Sequence, residues 1–191
     1  MNTLLKLLPP GNTILSNQPG AKAACLVLVA PHAAGQTMIT LAAHLALRGP
    51  LRVLDGGNRF NAFLAARCLR SIGAPDLEQT LENIQIARAF TCYQMTVMLE
   101  QTPLEHLPTL IIDLLDTFYD ESVPLPERRR LAKRCALRLK ALGKSAPVVV
   151  SLRPPPPDQL DPTGLQAIIQ KAADLLWQQE VSQPPAPLRL F

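Results

Sequence analysis

Short runs of apolar residues alternate along this chain with longer segments in which apolar residues recur every three or four positions. The runs predict strands at 26–30, 51–54, 84–86, 110–113 and 147–152. The periodic segments predict helices over 37–48, 59–72, 93–101, 127–142 and 164–173. Pro126 is expected at the start of the helix over 127–142, and Gly143 at its end. Apolar strands separated by helices predict an α/β fold, with a mainly parallel central sheet and helices on both faces.

The two ends of the chain carry weaker patterns. Residues 1–24 are interpreted as an N-terminal extension, and residues 25–191 as a single domain, because no repeat or change of composition divides them. Four consecutive prolines at 154–157 predict a stiff polyproline loop. Residues 174–181 either extend the preceding helix or form a strand, and we prefer the strand, paired with Leu188–Phe191 in an antiparallel hairpin.

Composition limits the class of protein. With 48% hydrophobic and 18% charged residues in a chain of 191, the sequence is typical of a globular protein with a real core. A net charge of +4 is compatible with nucleic-acid binding but does not require it. The four cysteines lie far apart, which favours reduced thiols over metal ligands. The apolar patch at the N-terminus is too short for a signal peptide or a membrane span, so we expect a cytoplasmic protein that does not contact membranes.

Residues 30–37 directly follow the first predicted strand and resemble an altered phosphate-binding loop. The standard motif is G-x-x-x-x-G-K-[ST], and this chain reads Ala30-Pro-His-Ala-Ala-Gly35-Gln36-Thr37. The spacing, the second glycine and the hydroxyl residue are present, while the first glycine and the lysine are replaced. The N-terminus of a helix attracts anions, so this loop predicts a nucleotide site. The candidate nucleotide-binding residues are Ala30, His32, Ala34, Gly35, Gln36, Thr37 and Met38.

Each polar residue of this loop has a functional and a structural interpretation. The Thr37 hydroxyl could bind Mg²⁺, or it could cap the helix. Gln36 can donate a hydrogen bond to a phosphate oxygen, but it cannot neutralise the charge that develops during phosphoryl transfer. His32 could supply a positive charge when protonated, or it could be an ordinary exposed loop histidine.

Further segments, in this order, resemble parts of the RecA/RadA recombinase family of P-loop ATPases. Residues 53–60 resemble the family's second strand and turn, and residues 84–99 resemble its segment with an arginine, an alanine, an aromatic residue and Gln94. Leu110–Asp113 resembles the Walker B strand, and residues 148–151 the strand that follows. The resemblance covers roughly residues 20 to 155. It implies a RecA-like three-layer fold, ATP as cofactor, and Mg²⁺ bound by Thr37 and Asp113. Alternatively, Asp113 is simply a polar residue that ends a buried strand.

Three positions depart from what this family's ATPases need. Gln36 replaces the phosphate lysine, Gly57 stands where the resemblance places a catalytic glutamate, and Leu152-Arg153 replaces a polar sensor pair. We therefore assign no catalytic residue and expect no efficient hydrolysis. One hypothesis is an accessory subunit in DNA recombination or repair, paired with a RecA-like partner. A second is a weak ATPase or nucleotide switch, in which His32 or Arg153 supplies a replacement charge. A third is a fold remnant that serves only as a scaffold.

A basic cluster lies on the predicted helix over 127–142. Its arginines and lysines either form a solvated helix face or contact DNA phosphates. The candidate nucleic-acid residues are Arg128, Arg129, Arg130, Lys133 and Arg153. Two loops resemble the family's DNA-binding loops, but residues 120–126 are acidic and residues 154–164 are rich in proline, which does not favour DNA contact.

Overall fold

The computed structural model describes residues 25–30, 35–153 and 163–178, and within them the protein is built on one six-stranded sheet. The strands are β1 (Cys25–Val29), β2 (Leu51–Asp55), β3 (Ile84–Arg88), β4 (Thr109–Ile112), β5 (Val148–Leu152) and β6 (Leu175–Gln178). Their order is β3-β2-β4-β5-β1-β6, and every pairing is parallel. The helices are α1 (Gln36–Ala46), α2 (Ala62–Ser71), α3 (Leu77–Glu82), α4 (Cys92–Gln101), α5 (Leu125–Ser145) and α6 (Leu165–Gln170). A 3-10 turn spans Asp116–Phe118.

Helices cover both faces of this sheet. Successive side chains of a strand point to opposite faces, so a strand that is apolar throughout needs a cover on each side. In β1, Val27 packs into a core with α4, α5 and α6, whereas its neighbour Leu28 packs into a second core with α1 and α2. The predicted α/β architecture is therefore confirmed: a parallel sheet forms the middle of three layers, with a layer of helices on each face.

Several predicted boundaries move, each for a local reason. The helix expected from residue 59 begins only at Ala62, because the Asn61 side chain caps it by accepting the N–H groups of Phe63 and Leu64. Gly143 does not end the long helix, as the sequence predicted, but lies buried inside α5. The helix ends instead at Ser145, and its C-cap Ala146 is extended, because a residue before proline is driven out of the helical conformation.

Pro126 also lies one position further into α5 than predicted, because the helix already begins at Leu125. The short helix α3 was not predicted from periodicity at all. Its N-cap is Asp76, whose carboxylate accepts the N–H of Gln79.

The C-terminal strand β6 resolves part of the ambiguity at residues 174–181. Residues 174–178 do not extend the helix, because Leu175–Gln178 pairs with β1 in parallel, and residues 179–181 lie outside the described part of the chain. Asp174 fixes the start of this strand: its carboxylate accepts the Cys25 N–H, and its own N–H donates to the Cys25 carbonyl, both at 2.8 Å. The expected hairpin partner Leu188–Phe191, the proline run 154–157 and the extension 1–24 lie outside the described residues.

Two further properties of the described ranges bear on function. None of their helices is long and apolar enough to cross a membrane. All four cysteines are free, as predicted, and three are buried, namely Cys25, Cys92 and Cys135. Burial raises the pKa of the Cys25 thiol to about 12 and that of Cys135 to about 11. These two thiols are therefore core groups with little thiolate character.

Candidate functional site

The carboxyl edge of the sheet brings together charged residues from three neighbouring strands. Asp55 ends β2, Asp113 follows β4, and Arg153 follows β5. The segment after β2 leads to the face covered by α1 and α2, whereas the segment after β4 leads to the opposite face. Neighbouring parallel strands whose connections diverge in this way leave a crevice between their carboxyl ends, where α/β proteins bind ligands. This edge is the candidate functional site.

Asp113 lies at the centre of this edge in an unusual backbone conformation. It is 2% exposed and has a φ of +46°, in the left-handed region that few residues other than glycine, asparagine and aspartate adopt. The turn is held from β5, because the Asp113 N–H donates to Ser151 Oγ at 2.9 Å. The next N–H, of Leu114, donates to the Ser151 carbonyl. Ser151 therefore fixes the direction in which the Asp113 side chain points.

Two guanidinium groups meet the Asp113 carboxylate. Its Oδ2 atom lies 3.0 Å from Arg59 Nε and 3.5 Å from Arg153 Nε. Arg153 also pairs with Asp116 in the 3-10 turn. Burial raises the pKa of the Asp113 carboxyl, the positive charges of Arg153 and Arg59 oppose that rise, and the negative charge of Asp55 adds to it. The desolvated carboxylate is therefore only partly compensated by its two arginines.

Asp55, which is fully buried, organises the turn after β2. Its two oxygens accept the backbone N–H groups of Arg59 at 3.0 Å and Phe60 at 2.9 Å. Arg88 Nε lies 3.3 Å from Asp55 Oδ2, and the same arginine donates to the Phe60 carbonyl. Sequence reasoning did not single out Asp55, Arg59 or Arg88 as members of a charged site. The available signal was an acid at the end of a buried strand followed by a glycine-rich turn and an arginine.

The turn after β2 packs directly on Asp113. A Cβ atom built at Gly56 would lie 2.9 Å from the Asp113 carbonyl oxygen. One built at Gly57 would lie 2.7 Å from Asp113 Cβ and 3.1 Å from Oδ2. Any side chain at position 57 would therefore push Asp113 aside. The position that resembles the family's catalytic glutamate is filled here by a close contact that only glycine permits.

The described part of the altered phosphate loop begins at the N-terminus of α1. Gly35 precedes the helix, and the N–H groups of the first turn have no carbonyl partner within the helix. Thr37 is half-buried at this end, whereas the Met38 side chain is buried in the core and could meet a ligand only through its backbone. On the other side of the loop, Ala30 is buried and its N–H donates to the Leu152 carbonyl at 3.2 Å. His32 and Ala34 lie outside the described residues.

Gln36 uses its side chain within the protein. Its Nε2 donates to Thr40 Oγ1 at 3.3 Å and to Cys68 Sγ at 3.2 Å. Thr40 lies one turn further along α1, and Cys68 belongs to α2. The amide therefore points along the helix toward α2, and a phosphate at the helix N-terminus would have to draw it out of both bonds.

The Mg²⁺ site predicted from Thr37 and Asp113 can be tested against this geometry. Mg²⁺ prefers six oxygen ligands in octahedral arrangement and usually keeps several waters. Asp113 Oδ2 already faces two guanidinium groups and the Gly57 backbone. Over residues 25–30, 35–153 and 163–178, no group of three His, Cys, Asp or Glu residues could hold a metal ion. The arrangement around Asp113 fits guanidinium partners and does not fit a hydrated Mg²⁺ ion.

Most of the arginines predicted to contact nucleic acid have acceptor partners within the protein. Arg128 is buried and its Nη1 donates to the Phe118 carbonyl. Arg130 forms two hydrogen bonds of 2.7 Å with Glu127 on the same helix. Both guanidinium groups are thereby oriented by protein acceptors.

The other basic candidates differ in their surroundings. Arg129 Nε donates to the Thr163 carbonyl at 2.7 Å, which ties α5 to the start of α6. Lys133 is exposed on α5, and Arg153 belongs to the Asp113 site rather than to the basic helix. The structure therefore does not bring the five nucleic-acid candidates together on one surface.

A groove at the β3 edge of the described sheet was not predicted from the sequence. β3 is the outermost strand of the described sheet, and α4 lies beside it. Between them is a cavity of about 570 Å³, lined among others by Ile86, Tyr93, Val97 and Met98. Ile86, Tyr93 and Val97 are each more than two-fifths exposed. In the sequence, Tyr93 and Val97 have the spacing of a buried helix face, so periodicity gave no sign that they would remain uncovered.

The comparisons with known proteins add no family to these observations. No protein-family model matches the chain, and no curated protein matches it significantly. The class that the structure defines is an α/β protein with a six-stranded parallel sheet between two helical layers, carrying a charged site at the carboxyl edge.

Proposed function

We propose that this protein is a RecA-like P-loop protein that does not hydrolyse ATP efficiently and acts as an accessory subunit in DNA recombination or repair. The observation that carries the proposal is the packing at Asp113. There, Arg59, Arg153 and Gly57 occupy the surroundings in which an ATPase would place metal, water and a catalytic acid.

Hydrolysis is disfavoured for an electrostatic reason. Phosphoryl transfer is accelerated mainly by positioned charges that stabilise the transition state, and loss of one such group typically lowers the rate about 10²–10³-fold. Gln36 supplies no charge, and its amide bonds to Thr40 and Cys68. Gly57 supplies no base, and no side chain fits there without displacing Asp113. We infer that a chain with this sheet but without these groups uses the fold for binding rather than for hydrolysis.

The groove beside β3 supports the partner role. An outermost strand offers unpaired backbone N–H and C=O groups, to which an extended segment of another chain can add as a further strand. Apolar side chains of such a segment would enter the groove and cover Ile86, Tyr93 and Val97. We propose that the occupant is an extended apolar segment of an intact RecA-like ATPase.

The hydrolysis proposal is tested with purified protein and Mg²⁺-ATP. We expect no turnover above the level of an Asp113→Asn variant, which keeps the shape of the site and removes the carboxylate. Robust hydrolysis by the wild-type protein that is abolished in Asp113→Asn would contradict the proposal.

The partner role is tested by measuring the affinity for the RecA-like recombinase of the same organism by calorimetry. Val97→Glu places a charge in the groove at a residue that is 47% exposed, and should weaken binding at least tenfold. Leu137→Glu is the matched control, because Leu137 is 70% exposed on α5, away from the groove. Equal affinities of the two variants would refute the groove as the contact.

A nucleotide switch is the second candidate, favoured by the N-terminus of α1. Its first turn contains no acidic residue, and Gly35 has no side chain with which to cap it, so the site remains suited to an anion. This candidate requires Mg²⁺-dependent ATP binding that Thr37→Ala weakens. Calorimetry with no heat of nucleotide binding would exclude it.

Measuring DNA affinity at several salt concentrations distinguishes a protein that contacts DNA directly from one that acts only through a partner. If Lys133 and its neighbours bind phosphates, the affinity for single-stranded DNA falls steeply as the salt concentration rises, and Lys133→Ala reduces that slope. An affinity that does not respond to salt would leave the protein as a partner subunit without DNA contact of its own.

A further inference from the structure

The strongest unexplained feature of the molecule is the set of arginines around a nearly inaccessible carboxylate. Asp113 is 2% exposed, and neither of its carboxylate oxygens has a hydrogen-bond partner among the described residues. Its Oδ2 atom has two guanidinium neighbours, Arg59 from the turn after β2 and Arg153 from the end of β5. The side chains of these arginines are 47% and 38% exposed, so each spans from solvent into the sheet edge.

A carboxylate in such a position needs a cation. Burying an ionised group without a partner is strongly unfavourable, and removing the partner of a buried charge destabilises the folded protein. The Asp55 carboxylate, which has Arg88 as its own partner, adds further negative charge close by. Asp116 pairs with Arg153 on the outer side. Positive charge beside Asp113 therefore stabilises its ionised form in the folded protein.

We propose that Arg59 and Arg153 together take the place of a divalent cation at the carboxyl edge, so that this site is built to work without Mg²⁺. The two guanidinium groups join the ends of β2 and β5 through the residue that follows β4, as a shared metal ion would join three ligands. The proposal concerns this chain's own residues and holds whether or not the loop at Gly35 binds a nucleotide.

The chemistry of arginine suits this role. The guanidinium group remains charged at every physiological pH, presents its donors in a fixed plane and cannot be removed by a chelator. A Mg²⁺ ion would bring its own waters and require further oxygen ligands. The turn at Gly57 packs against Asp113, since a Cβ built there would lie 3.1 Å from Oδ2, and Oδ2 is not accessible to solvent. Oδ2 is thus enclosed by two arginines and a backbone segment.

The test compares melting temperatures in millimolar Mg²⁺ and in excess chelator. The wild-type protein should melt at the same temperature in both. The double variant Arg59→Gln/Arg153→Gln should melt at a lower temperature in chelator, and Mg²⁺ should recover at least half of that fall, because the uncovered carboxylates then bind the ion. Adding Asp113→Asn to the double variant should restore stability in chelator and remove the response to Mg²⁺.

The matched control is Arg130→Gln, which breaks a surface ion pair with Glu127 and should leave both the melting temperature and its independence of Mg²⁺ nearly unchanged. If the double variant does not fold, Mn²⁺ binding followed by electron paramagnetic resonance gives the answer from the wild type and Arg153→Gln. In the wild type, Mn²⁺ binding should be the same with and without Asp113→Asn, which means that no site depends on Asp113. Arg153→Gln should gain a Mn²⁺ site, and adding Asp113→Asn should abolish it. An Asp113-dependent metal site in the wild type, or variants that gain no affinity for metal, would overturn the proposal.

Discussion

Replacing Gly57 with alanine should destabilise the protein chiefly through the contact of the new Cβ atom with the Cβ of Asp113. The added Cβ would lie 2.7 Å from that atom, about 0.8 Å short of ordinary carbon–carbon contact. Asp113 cannot yield easily, because Ser151 holds its backbone and two arginines hold its carboxylate. Overpacking of this kind costs about 1–3 kcal/mol. For a protein of this size, each kcal/mol lowers the melting temperature by about 2–4 °C.

The assay is unfolding by urea, followed by circular dichroism, in two backgrounds. In an Asp113→Gly background the clashing atom is absent and a left-handed backbone is easy to adopt, so Gly57→Ala should cost much less than in the wild type. Gly73→Ala is the control: its site is open but has a φ of +75°, so its cost should be the same in both backgrounds. If Gly57→Ala were neutral in the wild type, or equally costly in both backgrounds, the account of this turn would be refuted.

Three further predictions concern other parts of the molecule. Asn61→Ala should lower the free energy of unfolding by about 1 kcal/mol in the same urea assay, because it removes the N-cap of α2, while Asn61→Asp should retain most of it. Cys68 should react first with a thiol reagent at mildly alkaline pH, since the pKa values of Cys25 and Cys135 are raised and both are buried; mass spectrometry showing equal early labelling of Cys25 would contradict this. The raised pKa of Asp113 means that this carboxyl favours the folded state below its unfolded pKa of about 3.8 and that this contribution is lost as the pH rises through the folded value. Asp113→Asn should therefore gain stability relative to the wild type over that rise, and a difference that does not vary with pH would contradict the assignment.

Much of the fold could be predicted because its strands are apolar on both faces. Val148-Val-Val150 and Leu110-Ile-Ile112 leave no position for a solvent-exposed face, which requires helices on both sides. The register and order of strands could not be predicted, since they depend on which crossover passes over which strand. Two helix ends were predicted at the wrong residue. The start of α2 is set by the capping side chain of Asn61, and the end of α5 is set by Pro147 rather than by Gly143.

The candidate site was only partly predictable. Asp113 was predicted from the resemblance of residues 110–113 to a Walker B strand, and Arg153 because Leu152-Arg153 stands where that family has a polar pair. Arg59 and Arg88 were not, because an arginine in a turn has no sequence feature that separates an ion pair from a solvated charge. Arg128 shows the reverse, since it belongs to a basic run that suggests a surface, yet its guanidinium is buried against the Phe118 carbonyl. Whether a side chain is solvated depends on tertiary neighbours, which local pattern does not carry.

The backbone twist at position 113 also limits which amino acids the chain can accept there. Glycine satisfies the left-handed geometry but removes the carboxylate that pairs with Arg59 and Arg153, of which Arg153 keeps Asp116, while glutamate keeps the charge but is longer and fits that geometry poorly. Asparagine alone among neutral substitutes keeps both the shape and a polar head. The amino acids that position 113 can accept are therefore limited both by its positive φ and by the positive charge of the neighbouring arginines.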